Sequence, residues 1–236
     1  MRRYGFDNGE GTTFELGLRF LEFPAFEYGH EIINHIEIPG RAGTLTENTG
    51  TYTDTVITNT VEFYCSNTTE YEYKLSEIRK WLMDTKKLAY SDMEDRYFIV
   101  KKVEIEEESR LYNVFGNITV KFTCHPAVFL NDGDSTVTAA SGGQLYNPYS
   151  VTCPVYYVSG EGVCTLAVNG KPITANVGQN LTIDTEMMVA YRSDGTMQNT
   201  SITGRYKDLY LLEGNNTLTF TSGFSVSVKP RWRILK

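Results

Sequence analysis

Three histidines hold the first side chains in this sequence able to do chemistry, and two of them, His30 and His35, frame the segment HEIINH. A zinc-binding HExxH helix needs its two imidazoles four residues apart, so that both rings share one face. Here the spacing is five, which turns the second ring away, and HEIINHIEI reads as the entry to a strand. His125 is the only further imidazole, so no metal site is expected. Glu106, Glu107 and Glu108 bring carboxylates together, but adjacent glutamates on a strand or loop form a solvated face. The nucleophile elbow GxSxG, the phosphate loop GxxxxGK[ST] and the dinucleotide motif GxGxxG are all missing. Cys65, Cys124, Cys153 and Cys164 form no CxxC pair; they read as reduced, mostly buried thiols, a Cys153–Cys164 bridge being the other arrangement left open. Neither catalytic residues nor a cofactor are expected, and the chain reads as a non-enzyme. Tyr146, Tyr149, Tyr191 and Tyr206 could stack on sugar rings, which keeps a carbohydrate-binding module as the alternative function, although half-buried strand or loop aromatics are the favoured reading of them.

The elements that must position any site are mostly strands. Sixteen Tyr, twelve Phe and abundant Thr and Val favour half-buried pleated surfaces. Period-two alternation marks GLRFLEF (17–23), TVEFYC (60–65), YFIVKKVEIEE (97–107) and GNITVKFTC (116–124). One segment departs from it: Tyr71, Leu75, Ile78 and Leu82 fall at i, i+4, i+7 and i+11, the stripe of a helix, with Trp81 beside them. Thr69 and Glu72 fit a capping box at its start. Farther on, Asn169-Gly170 between CTLAV and KPITANV supplies the two positive-φ residues of a tight hairpin. The strand-and-turn spacing continues to FSVSVKPRW, which describes an antiparallel sandwich.

The small, polar run 131–150 reads as a linker, dividing the chain into an N-terminal domain (1–130) and a C-terminal domain (151–236). The charge divides there too: residues 1–130 carry 14 Lys and Arg against 21 Asp and Glu, and the remainder carry 8 against 8. An acidic first half disfavours tight nucleic-acid binding. No apolar run approaches the roughly 20 residues that cross a bilayer, so no membrane insertion is expected.

The order of motifs resembles the distal tail (Dit) family of long-tailed, siphovirus bacteriophages and prophages. The resemblance runs through LGLRFLEFPAF, EIPGRAGTL, IRKWL, LAYSDMEDRYFIVKKVEI and VKFTCHPAVF. It resumes at NPYSVTCPVYYVSGEGVCTLAVNGKPIT, LTIDTEMMVAYRSDGTMQNTSITGRY and LLEGNNTLTF and ends in VKPRW. It implies a mostly β chain: a barrel-like or sandwich N-terminal domain with one helix, then a galectin-like antiparallel β-sandwich. It further implies a structural virion component, a hexameric ring serving as the hub between the tail tube protein and the tail-tip protein. A receptor-binding protein would attach there, DNA would pass without specific binding, and assembly would take place in the host cytoplasm.

A ring needs two unlike surfaces on each subunit. In EIPGRAGTL, Pro39 fixes φ while Gly40 and Gly43 permit tight reversal, so Ile38, Pro39, Gly40, Arg41, Gly43 and Leu45 are the expected interface, with Arg41 offering a planar donor fork. A plain turn with a solvated Arg41 is the competing reading. Glu104, Glu106, Glu107 and Glu108 are the expected channel-facing acids, which would keep phosphates from adhering.

Overall fold

The computed structural model describes residues 4–112 and 114–235 and falls into two compact units. The first extends from the amino terminus to Val128 and takes back Leu235; the second is Phe129–Ile234.

In the first unit, short strands β1 (Phe6–Asp7), β2 (Arg19–Phe20) and β3 (Ala25–Glu27) lead to β4 (Glu31–Ile36) and β5 (Leu45–Tyr52). Then follow β6 (Thr55–Tyr64), α1 (Thr68–Met83), β7 (Lys87–Tyr90), β8 (Arg96–Leu111) and β9 (Phe115–Leu130). The main sheet has the order β1-β7-β8-β9-β6-β2, with β3 also on β6. Strict alternation explains it. Ile57, Val61 and Phe63 of β6 are buried while Thr58, Thr60 and Glu62 stay half-exposed, and Ile118, Val120 and Phe122 of β9 repeat the pattern. The two strands run antiparallel from Thr55 opposite Cys124 to Tyr64 opposite Phe115.

Helix α1 buries Tyr71, Leu75, Ile78 and Leu82 in the core, the stripe its sequence spells out. Trp81 stacks on Phe6 with ring centroids 5.2 Å apart. The cap is not the expected Thr69–Glu72 pair. Because the helix already begins at Thr68, Asn67 is the cap: its Oδ1 accepts the Glu70 N–H at 2.9 Å, while Glu70 Oε2 accepts the Ser66 N–H at 2.7 Å. Where α1 meets β6 and β9, a Cβ at Gly116 would lie 2.4 Å from the Phe63 ring and 2.8 Å from the Tyr71 hydroxyl, so only glycine lets these rings close in. Deeper still, the Tyr90 hydroxyl donates to Asn59 Oδ1 at 2.9 Å, both residues being buried.

The second unit holds β10 (Val137–Ala139), β11 (Gly143–Asn147), β12 (Val155–Val168), β13 (Lys171–Asp184) and β14 (Val189–Tyr191). β15 (Ile202–Thr203), β16 (Gly214–Phe220), β17 (Ser225–Lys229) and β18 (Arg233–Leu235) complete it, the last pairing with β9. β12 and β13 form one long hairpin closed by Asn169 and Gly170, whose φ angles are 52° and 77°. β12 pairs with β17 over Val155–Ser159 and with β16 over Leu166–Val168, so a single strand serves two layers. Tyr156, Leu166, Ile173, Ile183, Leu218, Val228 and Trp232 fill the space enclosed.

Residues 131–150 are not a linker. They contain β10, paired with β17, and β11, paired with β16; Asn147 is fully buried and Leu145 packs on the core. The run is poor in large apolar groups because edge strands bury only one side and half a face. The units therefore meet in sequence at Val128/Phe129 and not after residue 130.

The carboxyl-terminal segment is clasped to the sandwich. Asp184, 2% exposed, accepts from Arg231 Nη1 at 2.9 Å and Nη2 at 2.7 Å, and its Oδ1 also accepts the N–H groups of Glu186 and Met187, each at 3.0 Å. Burial pushes the Asp184 carboxyl up, but Arg231 and the two N–H groups outweigh it and hold the group below its usual value. Arg231 itself sits at φ 54°, a left-handed conformation. Thr152 Oγ1 donates to the Pro230 and Arg231 carbonyls at 2.7 and 2.6 Å.

Candidate assembly interface

Strands β4 and β5 pair only with each other, in register from Ile36 opposite Leu45 to Ile33 opposite Asn48, with an irregularity between Glu31 and Ile33. Nearly every residue of both is exposed. The tip is built as its sequence dictates. Arg41 N–H reaches the Ile38 carbonyl at 3.1 Å, Pro39 and Gly40 occupy the two central positions, and Gly40 has φ 83°, which is a type II turn. Gly43 adds a second left-handed residue at φ 82°. A Cβ on either glycine would meet nothing, so the demand there is conformational and not steric.

All six residues expected at the interface therefore lie on one projecting hairpin. Arg41 is exposed at its tip. The exposed aliphatic stretch begins before Ile38: Ile32, Ile33 and Ile36 are 40%, 44% and 44% exposed, comparable with Ile38 at 40% and Leu45 at 42%. Paired residues project from the same face, so Ile36 and Leu45 stand side by side. The overlooked signal is IINHIEI itself: aliphatic residues at both parities of a strand with no core to enter. A two-stranded sheet is at best marginally stable alone. Five exposed aliphatics on it mark a surface that gains by being covered.

All four acids lie on β8, where alternation sets Glu104, Glu106 and Glu108 on one face and Glu107 on the other, and the three that share a face are not bare. Lys102 Nζ lies 2.7 Å from Glu104, Lys121 Nζ lies 3.5 Å from Glu106, and Arg79 of α1 forms a two-pronged pair with Glu108. Hydrogen bonds from Lys102 and Arg79 hold the carboxyls of Glu104 and Glu108 below their usual range. Glu107 has no cation partner among the described residues. The local field is therefore weaker than four adjacent glutamates suggest.

The residues suited to catalysis are scattered. His30 Nδ1 lies 3.2 Å from Thr53 Oγ1, His35 stands opposite Thr46, and His125 Nδ1 accepts the Ala127 N–H at 3.0 Å. No three His, Cys, Asp or Glu side chains among the described residues gather as a metal site. The four cysteines are unpaired and buried, the Cys153–Cys164 bridge is not formed, and burial pushes the Cys124 thiol up to about 12. Of the four candidate sugar-stacking tyrosines, Tyr146 is 62% exposed and the other three are half-buried.

Residues 8–124 match the phage tail protein RIFT-related domain family, and the first unit belongs to it. The whole chain has the fold of the Dit protein of phage SPP1, described as a paradigm of hub adsorption apparatus in phages infecting Gram-positive hosts. The two share 12% identity at a TM-score of 0.65, covering 96% of this chain and 98% of that one. A chain of the phage P2 baseplate in its activated conformation with Ca is similar at 11% identity and a TM-score of 0.52, covering 97% of each. A chain of the phage p2 baseplate in its activated conformation with Sr gives 10% identity and a TM-score of 0.50, covering 96% of this chain and 98% of that one. No curated protein shows a significant sequence match.

Proposed function

We propose that this chain is the subunit of a hexameric ring at the distal end of a siphovirus tail, the hub that joins the tail tube to the tip and the receptor-binding apparatus. The observation that carries the reading is the uncovered β4–β5 hairpin on a phage-tail domain. A closed ring is built from heterologous contacts, one patch of each subunit meeting a different patch of the next. A projecting hairpin with an aliphatic face is one such patch. Ile36, Ile38 and Leu45 are its apolar anchors, and Arg41 offers its fork to a carboxylate or carbonyl on the neighbour. In this reading Glu104, Glu106 and Glu108 of β8 line the channel, their charge moderated by Lys102, Lys121 and Arg79, while Glu107 faces the other way, and DNA slides past without specific binding. Tube protein, tail-tip protein and receptor-binding protein dock on the ring after assembly in the host cytoplasm.

The test compares the unmodified chain with Ile36→Asp/Leu45→Asp by native mass spectrometry and negative-stain microscopy across concentration, since weak rings fill only when subunits are abundant. Hexamers are expected from the former. The variant should stay monomeric with an unchanged circular dichroism spectrum. A ring that forms equally well from the variant refutes the assignment of the hairpin, and tail particles carrying a lone copy off the axis refute the hub.

A further inference from the structure

The sandwich of the second unit leaves one side open. Among the described residues β11 pairs with β16 and with no other strand, and β10 pairs only with β17. On β16, Thr217 spends its N–H on Asn169 Oδ1 at 2.9 Å and its carbonyl on the Asn169 N–H at 2.9 Å. Gln144, which stands opposite Thr217, is therefore in a non-hydrogen-bonded position of the ladder, as is Tyr146 two residues on. The N–H and carbonyl groups of both point outward, away from β16. Both side chains are exposed.

Natural edges are usually blunted by charge. This one is not. From Ser135 to Ser150 the chain carries no Asp, Glu, His, Lys or Arg. Between β10 and β11, moreover, lies an apolar pocket of about 220 Å³ lined by Val137, Ala139, Leu145, Leu218 and Val228. Its floor continues into the core, since Leu218 and Val228 are buried there. An edge with outward backbone groups selects an extended chain, and a pocket beside it selects one side chain of that chain. A neutral rim complements a neutral segment, because any charge brought against it would be desolvated without a partner. β10 has only three residues, which leaves β11 as the strand long enough to be extended.

We propose that β11 is a docking edge for an extended, uncharged segment of a partner protein, which adds to the sheet as a further strand and seats one aliphatic side chain in the pocket. This site is separate from the β4–β5 hairpin and does not depend on the ring reading.

The experiment uses the full chain. A display library of short random peptides is selected on it, and the strongest binder is synthesised and titrated by calorimetry. The expected binder is free of charge, alternates in polarity and carries an aliphatic anchor. Gln144→Pro removes one outward N–H while sparing the inner ladder, and Ala139→Leu fills the pocket from within; each should weaken that peptide about tenfold. Hydrogen exchange at Leu145 and Asn216 checks that the Gln144→Pro sandwich is intact. A selection that yields no binder, or yields charged or aperiodic peptides, overturns the proposal. So does undiminished binding to both variants. Self-association of the unmodified chain that Gln144→Pro abolishes would also overturn it, by making this edge a contact between copies.

Discussion

Removing Asp184 should loosen the sandwich more than any other single polar change. Asp184→Ala takes away both bonds to Arg231 and the two turn N–H bonds, leaving a guanidinium only partly hydrated. Breaking a buried ion pair by deleting one partner costs about 3–5 kcal/mol. Two features lower that figure here: the Arg231 side chain is 24% exposed, and Glu186 Oε2 remains 3.5 Å from Arg231 Nη1. A loss of about 2–3 kcal/mol is therefore expected, which for a unit of this size lowers the melting temperature by roughly 8–20 °C. Scanning calorimetry of the full chain reads it. Arg231→Gly should cost about 1 kcal/mol less than Arg231→Ala, because glycine accepts the φ of 54° that alanine resists. The pH dependence follows from the lowered carboxyl. Its contribution is complete above the unfolded value near 3.8 and is lost as pH falls through the lower folded value, so wild type and Asp184→Ala should differ equally at neutral and mildly acidic pH and converge in strong acid. Shifts under about 0.5 kcal/mol for both Asp184→Ala and Arg231→Ala would refute the clasp as described.

Three further outcomes are expected. Tyr90→Phe leaves the fully buried Asn59 without its partner and should cost about 1–3 kcal/mol by urea denaturation, with little change in the slope of the transition. Asn67→Ala removes the cap of α1 and should cost about 1 kcal/mol, whereas Thr69→Ala, at the position first favoured for the cap, should cost clearly less. The native chain should show no fast reaction with a thiol reagent at neutral pH, all four cysteines being buried and their thiols pushed upward by burial, and all four should react once it is unfolded.

What the sequence made legible was whatever rests on local periodicity. The Tyr71–Leu82 stripe, the alternation of β6 and β9 and the Asn169-Gly170 turn each need only a few adjacent residues to be read, and each appears as expected. What it hid depends on partners distant in the chain. β10 and β11 look like linker because their alternation is short and their strands of support, β17 and β16, lie some seventy to ninety residues later. The helix cap was misplaced by two residues because several hydroxyl and amide side chains compete at SNTTE, and only the backbone decides among them. In the hairpin, glycine and proline announced the turn, while the isoleucines of β4 passed as ordinary strand residues. Their significance lies in the missing core beneath them, which no local pattern reports. Likewise, the carboxylates of β8 advertised themselves in sequence, and Lys102 stands two residues from Glu104, but Lys121 and Arg79, which balance Glu106 and Glu108, lie on other elements.

The division of β12 between two layers bears on how the chain is made. Its hairpin with β13 closes through a two-residue turn and can zip up as soon as residue 184 leaves the ribosome. Its other two neighbours, β16 and β17, are synthesised last, so until then β10 and β11 have nothing to lie against. Nascent chains halted before Gly214 should thus display a first unit still lacking β18 on β9, followed by a bare ribbon vulnerable to protease and to sticking, and the sandwich should snap shut only upon release.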